Sequence, residues 1–388
     1  MSIPSFEYVL PVIRGIQAGR EYYVSMCPVR FIPKLFSSEE EEIPPEMRAQ
    51  RKLSRTRVPE IARYILNNPT NYTFSAITAS IDAKITFEPI GEEAQARKIG
   101  RLRVPMDARF AIADGGHRRA AFELALSENP DLGYETIAVI FFLDIGLNRS
   151  QQIFSDLNRY GVHPDRSLNI LYDHRDKKAL LARAVVKEVR IFRKLTDTER
   201  STLPSRSGKL FTLSSIYNAT LALLANHQDS ELGHPRHSAV KGGMGEEQLS
   251  KQVELAARYW NAVTRYIPDW ELVLQKKVSA GEMRQDYVHS QAIALAGLGR
   301  VGASLISIYP ENWEEHLGGL AQIDWSRSNP DWQGRIMSKG GISQSQSSVS
   351  RMTAYLKKYL NLPLTLGEEQ LENACVAAGG EKKRAEGQ

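Results

Sequence analysis

Phe110-Ala-Ile-Ala-Asp114-Gly115-Gly116-His117-Arg118-Arg119-Ala120-Ala121-Phe122 changes its period halfway along. The residues before Asp114 are β-branched, aromatic or small, and 109–113 is predicted as a strand. Beyond the two glycines, Ala121, Phe122, Leu124 and Ala125 recur at helical spacing, which predicts a helix over 117–127. Two glycines at the junction permit positive φ and let a ligand approach the backbone closely. The first amides of a helix have no intrahelical acceptor and lie at its positive end, so such a turn suits phosphate or another anion. His117 and Arg118 add donors at the same mouth, and arginine can grip a phosphate with two prongs. Asp114 can hold a metal ion that accompanies a nucleotide, or can merely cap the helix. The plainer reading of the whole motif is a capped strand-to-helix turn carrying an exposed His-Arg pair.

Working outward, 8–12 and 21–26 read as strands of a hairpin around Gly15 and Gly19. Val58, Ile61, Ala62 and Ile65 give a helical period over 57–66, stopped by Asn67-Asn68-Pro69. Segments 74–81, 84–87 and 137–143 read as further strands, and 91–100 as a charged, exposed connection. After residue 149 the strand signals stop. Segments 151–159, 177–195, 211–227, 247–266, 288–309 and 347–360 suit helices, with polar loops at 228–246 and 323–346. The expectation is an α+β chain: an α/β domain over 1–148, a mostly helical domain over 149–378, and a disordered tail over 379–388. Gly297-Leu-Gly299-Arg-Val-Gly302 has the spacing of a dinucleotide fingerprint but follows a helical segment, so it is expected to be a point of close helix packing. Trp313, Trp325 and Trp332 are expected in the core.

The chain has 388 residues, 42 % hydrophobic and 24 % charged, which matches an ordinary globular protein and excludes a disordered, collagenous or coiled-coil one. The apolar runs are too short to span a bilayer, and the first eleven residues lack a signal-peptide pattern. Only Cys27 and Cys375 occur, which excludes a disulfide framework and a cysteine-built zinc site and points to the cytoplasm. Fifty basic against 45 acidic residues leave a net charge of +5, too weak to establish nucleic-acid binding. Distribution says more. Arg48, Arg51, Lys52, Arg55 and Arg57 crowd one segment. Arg183, Lys187, Arg190 and Lys194 are spaced by four, three and four, which on one helix makes a single basic stripe. Both groups can meet DNA phosphates, or can be solvated faces.

Asp114-Gly-Gly-His-Arg-Arg-Ala resembles the Asp-Gly-Gln-His-Arg signature of the DndB family, regulators of bacterial DNA phosphorothioation gene clusters within the ParB/sulfiredoxin-like fold group. Arg57-Val-Pro-Glu-Ile-Ala-Arg-Tyr-Ile-Leu, Asn71-Tyr-Thr-Phe-Ser-Ala-Ile and Phe154-Ser-Asp-Leu-Asn158-Arg159 with Ser167-Leu168 also resemble that family. So do Trp325-Ser-Arg-Ser-Asn-Pro-Asp-Trp332 and Leu362-Pro-Leu-Thr365, so the resemblance covers most of the chain. It implies a ParB/sulfiredoxin-like N-terminal domain that holds a nucleotide triphosphate with Mg²⁺. Asp114, Gly115, Gly116, His117 and Arg118 would form the phosphate loop, with Asp114 as metal ligand. Asn158 and Arg159 would form a second clamp, unless they only cap a helix before Tyr160-Gly161. Gly116 stands where the family usually has Gln, and where sulfiredoxin chemistry needs a cysteine, which excludes that reductase activity. The implied role is a DNA-binding transcriptional regulator. Its implied partners are double-stranded operator DNA, a nucleotide, other DNA sulfur-modification proteins and a second copy of itself, with no membrane. The alternative is a ParB-like nucleotide triphosphatase or nuclease.

Overall fold

Period-two alternation builds the first half of the chain. In the computed structural model, which describes residues 6–36, 53–54, 56–143, 152–153, 155–157, 165–229, 245–338 and 341–385, the chain divides into two units, Met1–Val162 and His163–Gln388. Unit 1 contains strands β1 (Glu7–Gln17), β2 (Arg20–Pro28), β3 (Ile77–Asp82), β4 (Thr86–Pro89), β5 (Ile99–Pro105), β6 (Arg109–Asp114) and β7 (Thr136–Leu143). They form one seven-stranded sheet in the order β4-β5-β1-β2-β7-β3-β6, antiparallel throughout except for the parallel pair β3–β7. The β1–β2 hairpin turns through Ala18 and Gly19, both at positive φ (50° and 73°), as a tight two-residue hairpin turn demands. β5 is a strand that the sequence reading did not assign. Its signal is clear in hindsight: buried Leu102 and Val104 alternate with Arg101 and Arg103, and Arg103 reaches Glu88 on β4 (2.7 Å) and Glu7 on β1 (3.2 Å).

Helices α1 (Ile32–Leu35), α2 (Arg57–Asn67) and α3 (Gly116–Glu128) share one core with this sheet. Ala62 and Ile65 of α2 and Ala121, Phe122 and Ala125 of α3 are buried there with Val139 and Phe141 of β7. Phe74 and Phe122 meet edge to face at 5.6 Å. Residues facing the other way from the same strands, among them Val9, Ile13 and Met26, remain exposed.

Unit 2 is helical: α4 (Arg166–Tyr172), α5 (Lys177–Glu188), α6 (Arg190–Leu195), α7 (Leu213–Asp229), α8 (Glu246–Tyr266), α9 (Asp269–Leu274), α10 (Ala280–Asp286), α11 (Ala292–Ile308), α12 (Gln346–Tyr359) and α13 (Leu366–Ala385). The unit also contains two minimal strand pairs, Thr196–Asp197 with Phe211–Thr212 and Met337–Ser338 with Gly341–Ile342, and a 3-10 helix over Trp313–Gln322. The reading of 177–195 as one helix is corrected. Val189 is extended (φ −84°, ψ 115°) and separates α5 from α6, because burying Val189, Ile191 and Phe192 together requires the chain to turn. α13 continues to Ala385, past the point where a disordered tail was expected. Among the described residues no helix is long and apolar enough to cross a membrane.

α11 is the axis of this unit. A Cβ at Gly297 would fall 2.6 Å from Met352, at Gly299 2.2 Å from the Ala219 carbonyl oxygen, and at Gly302 2.5 Å from Leu223 and the Tyr259 ring. The Gly-x-Gly-x-x-Gly spacing therefore packs one helix against α7, α8 and α12, as its sequence context suggested. Trp313, Trp325 and Trp332 are buried in the same core. Replacing Gly299 with Ala must push α7 away, because its obstacle is backbone, and should destabilise the protein by about 1–3 kcal/mol. Gly318→Ala, where nothing lies within 4 Å, should leave the thermal midpoint in place. Equal melting of both variants and the parent would contradict this packing role.

Candidate functional site

Strand β6 ends at Asp114, paired opposite Thr78 of β3, and the chain enters α3 through Gly115. Gly115 is left-handed, with φ 105° and ψ 10°, a conformation that strains any residue with a Cβ. A Cβ there would also lie 3.0 Å from Ile77 and 3.2 Å from the Arg118 guanidinium. Gly116 opens the helix and has no positive φ. The first turn of α3 carries no acidic side chain, so its positive end is uncompensated by Asp or Glu from that turn.

Arg118 does not face the turn as a free donor. Its Nη1 donates to the Ser75 carbonyl (2.7 Å), the Ser75 hydroxyl and the Ala76 carbonyl (3.1 Å), and its Nη2 lies 2.6 Å from Asp114 Oδ2. Its side chain is only 12 % exposed, against 49 % for Asp114. The guanidinium therefore joins the entry of β3, the exit of β6 and the start of α3. Asp114 keeps a half-exposed carboxylate after making this pair. His117 Nε2 accepts the Ser54 backbone N–H at 2.9 Å, which puts the neutral ring's proton on Nδ1. Arg119 is buried, donating to the Phe36 carbonyl (3.0 Å) and pairing with Glu123 (3.2 Å). The turn thus collects Asp114, Gly115, Gly116 and His117 at one mouth, with Arg118 as the fastener behind them.

Asn158 and Arg159, the expected second clamp, lie outside the described residues, as do Arg48, Arg51, Lys52 and Arg55. Arg57 is exposed at the first position of α2. The Arg183–Lys194 stripe is divided by the break at Val189. Arg183 donates to the Leu171 carbonyl, and Arg190 pairs with Glu271 at 3.0 Å. Lys187 and Lys194 remain exposed, joined by Arg193 beside them. Two of the four expected cations are therefore engaged within the protein.

The sequence reading passed over two features of unit 2. His289 is fully buried: its Nδ1 accepts the Trp270 indole N–H (3.1 Å) and stands 3.0 Å from the Ser290 hydroxyl. Its Nε2 lies 3.3 Å from Asp269 Oδ2, an ion-pair distance outside good hydrogen-bond geometry. Burial pushes its pKa down, and this histidine also holds the Asp269 carboxyl below its usual value. The second feature is a set of arginines, scattered from 166 to 327, that line one cleft. No spacing in the sequence marks either, since helices distant in the chain bring the residues together.

No curated protein and no solved structure matches this chain. The sequence profile of a family described as DndB, DNA-sulfur modification-associated, matches residues 10–363. That span covers both units and includes the Asp114–Arg118 turn, α11 and the buried tryptophans. The chain belongs to the DndB family and, through it, to the proteins associated with a DNA sulfur-modification system.

Proposed function

We propose that this protein is a DNA-binding transcriptional regulator of a DNA phosphorothioation gene cluster, and that its Asp114–His117 turn holds the phosphates of a nucleotide. Family membership supports the biological setting. The observation that carries the nucleotide reading is the left-handed Gly115, which delivers a half-exposed carboxylate and the first amides of a thirteen-residue helix to one mouth. A strand, a glycine turn and a helix in this order also support a ParB/sulfiredoxin-like reading of unit 1.

Mg²⁺ fits this turn in one way only. Among the described residues no group of three or more His, Cys, Asp or Glu can hold a metal ion. Asp114 would supply a single carboxylate oxygen, and the rest of the shell would be phosphate and water, which is ordinary for Mg²⁺ bound with a nucleotide. The ion would neutralise phosphate charge beside Asp114. The protein's own part is to hold the turn: Arg118 keeps Asp114 oriented, and Gly115 leaves the backbone open to the ligand.

DNA contact is assigned to Lys187, Arg193 and Lys194, which are exposed. Arg57 and the basic residues before it form the second expected surface. Such cations position a protein on DNA through phosphates and carry no base code.

Asp114→Asn keeps an oxygen acceptor for Arg118 but removes the charge. It should weaken Mg²⁺-nucleotide binding about tenfold or more in calorimetry, the loss expected for a charged ligand contact, while the melting temperature holds. Unchanged affinity would overturn the phosphate assignment. Arg118→Ala should instead cost at least about 1.5 kcal/mol of stability in denaturant titration, because it strips charged donors from Ser75 and Ala76. A fully stable Arg118→Ala protein would show that the fastener role is wrong. For DNA, a Lys187→Glu, Lys194→Glu variant should bind every duplex more weakly by a similar factor. The slope of log affinity against log salt should fall by about 0.9 for each lost phosphate contact. Full affinity in that variant would move the DNA surface elsewhere.

A further inference from the structure

Unit 2 contains a cleft of about 970 Å³ that adjoins a narrower cavity of about 450 Å³, the two sharing Ser215, Asn218, Ala292 and Gln344 as wall. Arg206, Arg284 and Arg327 line the wide part, and Arg166 and Arg300 line the narrow part. Against five arginines the walls carry one carboxylate, Glu282, and that group is turned back onto the Ser279 backbone N–H at 3.0 Å in a helix-capping box.

The arginines differ in what they do. Arg284 spends both of its terminal nitrogens on carbonyls of Pro204, Ser205, Ser207 and Lys209 and so shapes the rim. Arg327 donates from Nη2 to the Arg284 carbonyl at 3.0 Å, while its buried Nε has no partner among the described residues. Arg166 and Arg300 make no ion pair among the described residues. Arg166 gives one bond, to Asn218 Oδ1 (2.8 Å), and lies over the Tyr217 ring at 5.8 Å. Arg300 reaches Gln346 Oε1 (2.8 Å) and Ser350 Oγ (3.2 Å), both neutral.

Arg300 is also the only charged residue of α11, the apolar axis of the unit. A half-buried guanidinium without a counter-charge is costly, and arginines taken out of water are ordinarily paired. Each guanidinium has five N–H groups in a planar fork, so Arg166 and Arg300 retain most of their donors for a third party. A carboxylate offers two oxygens to such a set. A phosphate offers three and more charge, and it matches the fork geometry of two arginines together with the neighbouring serine and amide donors. The wide part lies at the upper end of the size range of small-ligand sites, and its wall includes the apolar Leu210 and Phe211. An inorganic ion alone would leave that volume unused.

The geometry points to a second anion site in this protein: a cleft in the helical unit that binds an organic phosphate of nucleotide size, its phosphate held between Arg166 and Arg300. All of its lining residues belong to unit 2, and the inference stands whether or not the Asp114 turn binds nucleotide. The phosphate can belong to a free nucleotide or to a short single strand of DNA, since the recognising chemistry is the same.

The test uses the full chain, with dAMP and a hexathymidylate as probes in calorimetry. Arg166→Gln and Arg300→Gln should each weaken binding of the preferred probe about tenfold or more in buffer without Mg²⁺, where the Asp114 turn, which takes its nucleotide together with the ion, does not contribute. Tighter binding of the hexamer identifies the strand as the source of the phosphate, and tighter binding of dAMP identifies the free nucleotide. Arg300 also holds α12, so melting curves accompany each variant. Arg166, exposed at the start of α4, gives the reading that unfolding does not confound. The inference is overturned if the wild-type protein binds neither probe, or if the folded Arg166→Gln protein binds both as well as wild type.

Discussion

One guanidinium organises the first unit. Arg118 sits in the first turn of α3 and reaches back across the sheet edge to Ser75, Ala76 and Asp114, so two segments about forty residues apart in sequence meet at a single planar group. Charge-assisted bonds of this kind are the stronger ones, and their fixed fork leaves little freedom to the segments that accept them. Gly115 can be left-handed without a clash because it has no side chain to meet Ile77, and that conformation lets α3 start directly beneath Asp114. The motif therefore contains two kinds of residue. Arg118 and Gly115 make the shape, and Asp114 and His117 are presented by it.

The second unit depends on a different constraint, the closeness of backbones around α11. Three glycines at Gly297, Gly299 and Gly302 let α7, α8 and α12 approach to distances that no side chain would allow. Interiors packed this tightly transmit any added volume as backbone movement. A charged residue in such a helix is conspicuous, and Arg300 is placed where its head can leave the packed axis and line a polar cavity. Apolar packing and the arginine-lined cleft are thus two faces of one helix.

Electrostatics in this protein is local. A net charge of +5 on 388 residues says little about a ligand. What matters is which cations are already satisfied. Arg183, Arg190, Arg118 and Arg284 bond to their own chain, whereas Lys187 and Lys194 stay exposed and Arg166 and Arg300 lack a counter-ion among the described residues. The basic stripe drawn on a helical wheel assumed one continuous helix, and Val189 ended that assumption by burying its side chain in an extended conformation.

The strand-turn-helix around Asp114, the β1–β2 hairpin, α2 and most helices of the second unit follow from local information. Side-chain period, glycine placement and helix-stop residues act within a few positions of each other, and that is the range a sequence displays directly. The glycine triplet was also legible, because its helical context excluded a dinucleotide turn. Strand β5 was legible in principle through Leu102 and Val104 alternating with Arg101 and Arg103. The order of the seven strands, the break between α5 and α6, the capture of Arg118 by Ser75 and Ala76, and the placing of Arg166 and Arg300 on the wall of one cavity were not. The strand order depends on pairings as distant as Tyr22 with Phe142, Arg118 on partners 42 and 43 residues away, and the α5–α6 break on the competition of several side chains for one core. Residue types and their spacing determined which groups could do chemistry. Only the tertiary structure decided which of them were already spent on holding the fold, because a hydrogen bond to a distant carbonyl leaves no trace in the local pattern.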